Sequence, residues 1–211
     1  MNRPLLKICG MRDPVNILAV AELHPDFMGF IFYKGSRRYV GDEFTIPDQF
    51  PKDVKKVGVF VNETTDKILN IVAENRLDLV QLHGDESIAQ CAELRSKGLG
   101  IIKVFSIDEY FDFSTISSYE HVIDYCLFDT RTELHGGSGI SFDWKLLDKY
   151  NLKTPFFLSG GVSASKLKAI KKVNNSNLYG LDVNSGVESS PGIKDLHKVT
   201  ELKKLVSAFN E

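Results

Sequence analysis

The sequence predicts an α/β protein whose parallel eight-stranded sheet closes into a single (β/α)8 barrel, and three observations predict it. A short apolar run followed by an amphipathic helical stretch recurs eight times along 211 residues, about 26 residues apart. Eight such units exceed the roughly six of an open doubly wound sheet, which would also need a reversal of strand order. No linker, low-complexity segment or shift in composition divides the chain, so residues 1–211 read as one TIM-barrel domain. The units share no sequence, so the repeat is one of architecture.

The first strand is Leu6-Lys7-Ile8-Cys9-Gly10; Lys7 and Cys9 share one face and Leu6 and Ile8 the other. Asp13 then caps a helix with Pro14 at its first position. Met28 to Phe32 is the second strand, followed by a poor helix from Asp42 to Phe50 that Pro47 interrupts. Lys56 to Val61 is the third, with Thr64 or Thr65 capping a helix toward Glu74, and Leu79 to Leu82 is the fourth, with a helix from Glu86 to Lys97. Gly100 to Phe105 is the fifth strand, and the stretch from Asp108 to Ser118 is weakly helical. Cys126 to Asp129 is the sixth, followed by a glycine-rich loop and a helix near Phe142 to Tyr150. Pro155 to Ser159 is the seventh, with Ser163 capping the next helix; Tyr179 to Val183 is the eighth, and Lys194 to Phe209 closes the chain as a helix.

The composition is globular, 43% hydrophobic and 26% charged, enough for a sizeable core. A net charge of -2 gives no general pull toward nucleic acid or an anionic membrane, and neither is expected as a partner. Cys9, Cys91 and Cys126 cannot all pair and none forms a CxxC, which points to a reducing, cytoplasmic setting and away from structural zinc. No apolar run approaches membrane-spanning length, and the N-terminus leads straight into a strand.

In such barrels the chemistry sits at the C-terminal ends of the strands. After strand seven comes Ser159-Gly160-Gly161, and after strand eight Asn184-Ser185-Gly186. Glycines let backbone N–H groups approach an anion, and these two loops are the recurrent phosphate site of the fold. Asp129 ends strand six beside Gly136-Gly137-Ser138-Gly139, as a general acid under a lid or as a plain loop cap. Gln81-Leu82-His83-Gly84 puts His83 at the mouth as a substrate ligand, a structural histidine or, last, a base. Arg37 and Arg38 follow strand two, where a guanidinium could grip a carboxylate but a solvated pair is the commoner outcome. Trp144 reads as a packing anchor at a helix start. No His/Asp/Glu cluster has metal-ligand spacing, and no nucleotide-binding loop is present.

Taken together, Lys7-Ile8-Cys9-Gly10, Gly58-Val59-Phe60-Val61-Asn62, Gln81-Leu82-His83-Gly84, Asp129 before Gly136-Gly137-Ser138-Gly139, Phe142-Asp143-Trp144, Ser159-Gly160-Gly161, Asp182-Val183-Asn184-Ser185-Gly186-Val187-Glu188 and Pro191-Gly192-Ile193-Lys194-Asp195 resemble the phosphoribosylanthranilate isomerases. The motifs are unspecific singly, but their order spans the chain. The resemblance implies an enzyme of tryptophan biosynthesis, without metal or cofactor, that performs an Amadori rearrangement of a phosphosugar–anthranilate substrate. It implies Cys9 as general base and Asp129 as general acid. Arg38 is expected on the anthranilate carboxylate, although the loop lacks the proline that the family often carries before this arginine, which leaves Arg37 as the alternative. His83, Gly137, Gly160 and Gly161 are expected to contact substrate, as are Asp182, Ser185 and Gly186. A related isomerase with paired aspartates is disfavoured by Cys9, a non-catalytic phosphate binder by the presence of both Cys9 and Asp129. Monomer and homodimer both remain open.

Parity adds one expectation. Lys7 and Asp182 both point inward on neighbouring strands, so they should pair beneath the catalytic layer, the ammonium favouring a Cys9 thiolate and Asp182 partly cancelling it.

Overall fold

The structure is a computed structural model and describes residues 3–130, 142–173 and 175–209. Eight parallel strands close in sequence order: β1 (Leu5–Met11), β2 (Phe27–Ile31), β3 (Lys55–Phe60), β4 (Leu79–Leu82), β5 (Gly100–Ile107), β6 (Tyr125–Thr130), β7 (Phe156–Leu158) and β8 (Leu178–Val183), with β8 back against β1. Around them lie α1 (Pro14–Ala21), α2 (Thr65–Asn75), α3 (Ile88–Ser96), α4 (Leu167–Ile170) and α5 (Leu196–Ser207). The predicted barrel is therefore present.

Two apolar layers hold it. The larger lies between sheet and helices; the smaller fills the barrel with Phe27, Val57, Ile102, Val104, Leu127 and Phe157. At the N-terminal end, Phe27 meets Phe157 edge to face at 5.3 Å, and Tyr125 and Tyr179 pack beside them. That aromatic plug confines any site to the opposite mouth.

Two bulges aim side chains into that mouth. Along β1 and β2, Ile8 pairs with Met28 but Met11 with Phe30, so Cys9 and Gly10 together stand against Gly29. Gly10 takes φ 77°, a left-handed conformation that glycine tolerates without strain. Along β7 and β8, Phe156 pairs with Leu178 but Phe157 with Gly180, so Tyr179 is extra. Tyr179 turns into the plug, and Asp182 comes opposite Lys7 in the β1–β8 ladder.

Several elements differ from the sequence-based expectation. The segment from Asp42 to Phe50 is not helical; Phe44 and Phe50 pack on Phe30, and the Asn75 side chain accepts from the Ile46 N–H. After β5 and β6 the chain forms 3₁₀ helices, Phe113–Tyr119 and Trp144–Lys149. In the first, Thr115, Ser117 and Ser118 each donate a hydroxyl to the carbonyl three residues back, which favours the tighter turn. The closing helix starts at Leu196 rather than Lys194, because Asp195 caps it and Lys194 belongs to an unforeseen hairpin, β9 (Glu188–Ser190) with β10 (Ile193–Lys194).

Helix α3 starts at Ile88, capped by Ser87, because the Glu86 carboxylate is committed elsewhere. Glu86 accepts the Asn62 and Gly84 N–H groups and sits 3.2 Å from the Lys103 ammonium, both side chains almost wholly buried. Lys103 also donates to the Gly84 carbonyl at 2.7 Å. The pair thus ties the loops after β3 and β4 into one corner, the corner that carries His83. Glu86→Ala strands a buried ammonium and is expected to cost about 3–5 kcal/mol in urea unfolding; a loss below about 1 kcal/mol would contradict this role.

Candidate active site

Cys9 is buried two residues before the end of β1, and the space it occupies is made by a neighbouring glycine. A Cβ on Gly29 would lie 2.7 Å from Cys9 Sγ and 3.2 Å from Lys7 Nζ, so thiol and ammonium share one pocket over β2. Lys7 Nζ donates to Asp182 Oδ1 at 2.7 Å, and Ser159 Oγ donates to Asp182 Oδ2 at 3.3 Å. The expected interior pair is there. Burial opposes the Lys7 charge, but Asp182 and Cys9 outweigh it and hold the ammonium above its usual range. For the thiol the balance differs from the sequence-based expectation. Burial pushes Cys9 up, Lys7 pulls it down, Asp182 pushes it up again and Lys194 pulls it down, with burial prevailing.

Asp129 is the penultimate residue of β6, and two strands, β7 and β8, separate it from Cys9 by the shorter way round. Its Oδ1 accepts the Thr130 N–H at 2.8 Å, while Oδ2 lies 3.6 Å from His83 Nε2. Gln81 Nε2 stands 3.0 Å from His83 Nδ1; as the donor there it leaves the ring proton on Nε2, toward Asp129. The histidine from the loop after β4 thus meets the strand-six carboxylate, a pairing that sequence reasoning did not foresee.

Loops after β7 and β8 pack against each other and against Asp129. A Cβ on Gly160 would fall 2.3 Å from Thr130 Oγ1, and one on Gly186 2.3 Å from the Val162 carbonyl. Gly160 and Gly161 both have positive φ. The N–H groups of Gly160, Gly161, Ser185 and Gly186 donate to no acceptor among the described residues, so four backbone donors on two adjacent loops are available to an anion. Gly137 and the rest of the loop after β6 lie outside the described residues.

Arg38, and not the exposed Arg37, enters the mouth, its Cδ 2.7 Å from where a Cβ on Gly10 would be. Its guanidinium is gripped by Glu188, Nε to Oε1 at 2.8 Å and Nη2 to Oε2 at 2.7 Å. Lys194 Nζ lies 2.8 Å from Glu188 Oε1. Burial would raise the Glu188 carboxyl, but Arg38 and Lys194 hold it down at about 2. Glu188 and Lys194 were missed as site residues because the arginine that draws them to the mouth, Arg38, lies 150 positions from Glu188. Their lasting signal was two charges spaced six apart around Pro191-Gly192, a turn.

The N-(5'phosphoribosyl)anthranilate (PRA) isomerase family matches residues 6–205. The chain belongs to that family. It is similar to the N-(5'-phosphoribosyl)anthranilate isomerase of Phocaeicola vulgatus, 44% identical over 90% of this chain and 92% of that one. The crystal structure of phosphoribosyl anthranilate isomerase from Thermotoga maritima superposes with a TM-score of 0.80 at 31% identity, covering 99% and 100% of the two chains. A phosphoribosyl anthranilate isomerase solved in complex with reduced 1-(o-carboxyphenylamino)-1-deoxyribulose 5-phosphate superposes at 0.77 with 30% identity, covering 99% and 100%. The isomerase family that the motifs resembled and the closed barrel that the eight strand-helix units predicted are therefore both present.

Because Glu188 is ionised far below the usual carboxylate range when folded, it stabilises the fold fully above about pH 4.3, its unfolded value. That contribution fades as pH falls toward 2. Between pH 7 and pH 3 the protein is expected to lose about 2 kcal/mol more unfolding free energy than its Glu188→Gln variant. Equal losses would show that Arg38 and Lys194 do not hold the carboxylate in solution.

Proposed function

We propose that this isomerase converts N-(5-phosphoribosyl)anthranilate to 1-(2-carboxyphenylamino)-1-deoxyribulose 5-phosphate, in the cytoplasm and as a step of tryptophan biosynthesis. Cys9 is its base and Asp129 its acid, and residues 1–211 act as one catalytic barrel. What supports the reading is that the loops and strand ends at one mouth carry a thiol, a carboxylate, an arginine and four backbone N–H groups that donate to no acceptor among the described residues.

Asp129 delivers a proton to the furanose oxygen as the aniline nitrogen pushes electrons toward C1, so the C1–O bond breaks and a Schiff base forms. Its Oδ2 is the working atom, since Oδ1 is held by Thr130, and His83 steadies the carboxylate left behind. The Schiff base makes the C2 proton acidic, and Cys9 removes it as thiolate. Lys7, Lys194 and Arg38 all bias the sulfur toward ionisation against its burial, and the cationic Schiff base adds to them. The enolamine then relaxes to the ketone; the substrate is its own electron sink, so no metal or cofactor enters the scheme.

Gly160, Gly161, Ser185 and Gly186 bind the phosphate through N–H groups, with Gly137 from the loop after β6 completing the set. Arg38 holds the anthranilate carboxylate. Asp182 acts from below: with one oxygen on Lys7 and the other on Ser159, its part in substrate binding is to position that floor.

The chain is expected to restore growth without tryptophan to a strain lacking this isomerase. Cys9→Ser and Asp129→Asn should each lower turnover by about 100-fold or more with the far-ultraviolet spectrum unchanged. Near-native turnover in either variant would remove that residue from the mechanism.

A further inference from the structure

We propose that Glu188 and Lys194 are positioning residues that make Arg38 selective for a carboxylate on the aromatic ring of the substrate. The inference rests on the reading of Arg38 as the substrate's anchor and extends it to two residues that touch no substrate.

A guanidinium offers two bidentate edges, one made by Nε and Nη2, the other by Nη1 and the second proton of Nη2. Glu188 occupies the first with two short bonds. That fixes the plane of the group and leaves the second edge, whose Nη1 donates to no acceptor among the described residues. The Arg38 stem lies over Gly10 beside Cys9, so the free edge belongs to the mouth in which the reacting carbon would lie.

Charge explains Lys194. Glu188 alone would neutralise Arg38 and abolish its pull on an anion. Lys194 restores one net positive charge, yet its own protons are spent on Glu188 Oε1 at 2.8 Å, Asn184 Oδ1 at 2.7 Å and the Asn184 carbonyl at 3.2 Å. Being buried and saturated, it acts through Glu188 instead of on the ligand. The β9–β10 hairpin pairs Lys194 with Glu188 directly. Asn16 of α1 then holds Lys194 in place from both sides, accepting its N–H at 2.8 Å and donating to its carbonyl at 2.9 Å. A hairpin pinned this firmly, carrying one carboxylate and one ammonium to a single arginine, is built for orientation.

The test uses two ligands, reduced 1-(o-carboxyphenylamino)-1-deoxyribulose 5-phosphate and the same compound made with aniline, which lacks the carboxylate. Calorimetry gives the ratio of their Kd values for the protein and for Arg38→Gln, Glu188→Gln and Lys194→Met. Lys194→Met, which removes the net positive charge, and Glu188→Gln, in which loss of the fixed guanidinium plane outweighs the added positive charge, are each expected to cut the ratio by about tenfold or more, through weaker binding of the carboxylated ligand. The anilino ligand should keep its Kd within about threefold. A ratio lost in Arg38→Gln but retained in both other variants would overturn this inference alone. A ratio retained in Arg38→Gln would overturn the anchoring role of Arg38 as well. Equal weakening of both ligands by Glu188→Gln, the isosteric change, would mark a merely structural role and also overturn the inference.

Discussion

Lys7 and Asp182 meet where β8 closes on β1, and the barrel and its chemistry both depend on that contact. Each ion costs several kcal/mol to bury, and only close, well-bonded geometry offsets the cost. Here the contact is 2.7 Å, and Ser159 satisfies the second carboxylate oxygen. A slip of one residue in the β1–β8 ladder would turn one of the two charges out of the interior, so the pair also fixes the register of closure. The Tyr179 bulge in β8 provides that register without giving up the aromatic plug below.

Above this floor the mouth divides its tasks by strand. Cys9 stands over Lys7 in space vacated by Gly29, with its thiol pushed up by burial. Asp129 stands on β6, two strands away round the barrel, with His83 beside it and with Gly160 close enough that no side chain would fit. A second set of charges, Arg38, Glu188 and Lys194, flanks Cys9 from the loops after β2 and β8. Each set pairs its cations with a carboxylate, and with Lys7 and Lys194 pulling the thiol down and Asp182 pushing it up, the field at sulfur is a difference of near terms and not the effect of one lysine.

Much of this was legible in the sequence because it depends on period and parity. Eight apolar runs followed by helical stretches were enough for the barrel, and alternation alone brought Lys7 to Asp182. Bulges were not legible: nothing local marks Gly10 or Tyr179 as an extra residue, since a bulge is defined by the partner strand. The stretch from Phe113 to Tyr119 looked weakly helical and became 3₁₀ once its hydroxyls bonded back to the main chain. Glu188 reads as an ordinary loop acid until the fold brings Arg38, 150 positions away, against it. His83 beside Asp129 is likewise a product of closure, invisible in either motif.

Burial pushes the Cys9 thiol up, and within the Lys7–Asp182 pair the ammonium opposes that push while the carboxylate adds to it. The direct measurement is a pH titration of the Cys9 thiolate by ultraviolet absorbance, in the protein and in its Asp182→Asn variant, with Cys91 and Cys126 replaced by alanine in both. Removing the Asp182 charge while leaving a hydrogen-bond partner for Lys7 should move the Cys9 titration to lower pH. A titration that stayed in place or moved upward would show that the Asp182 charge does not oppose the thiolate.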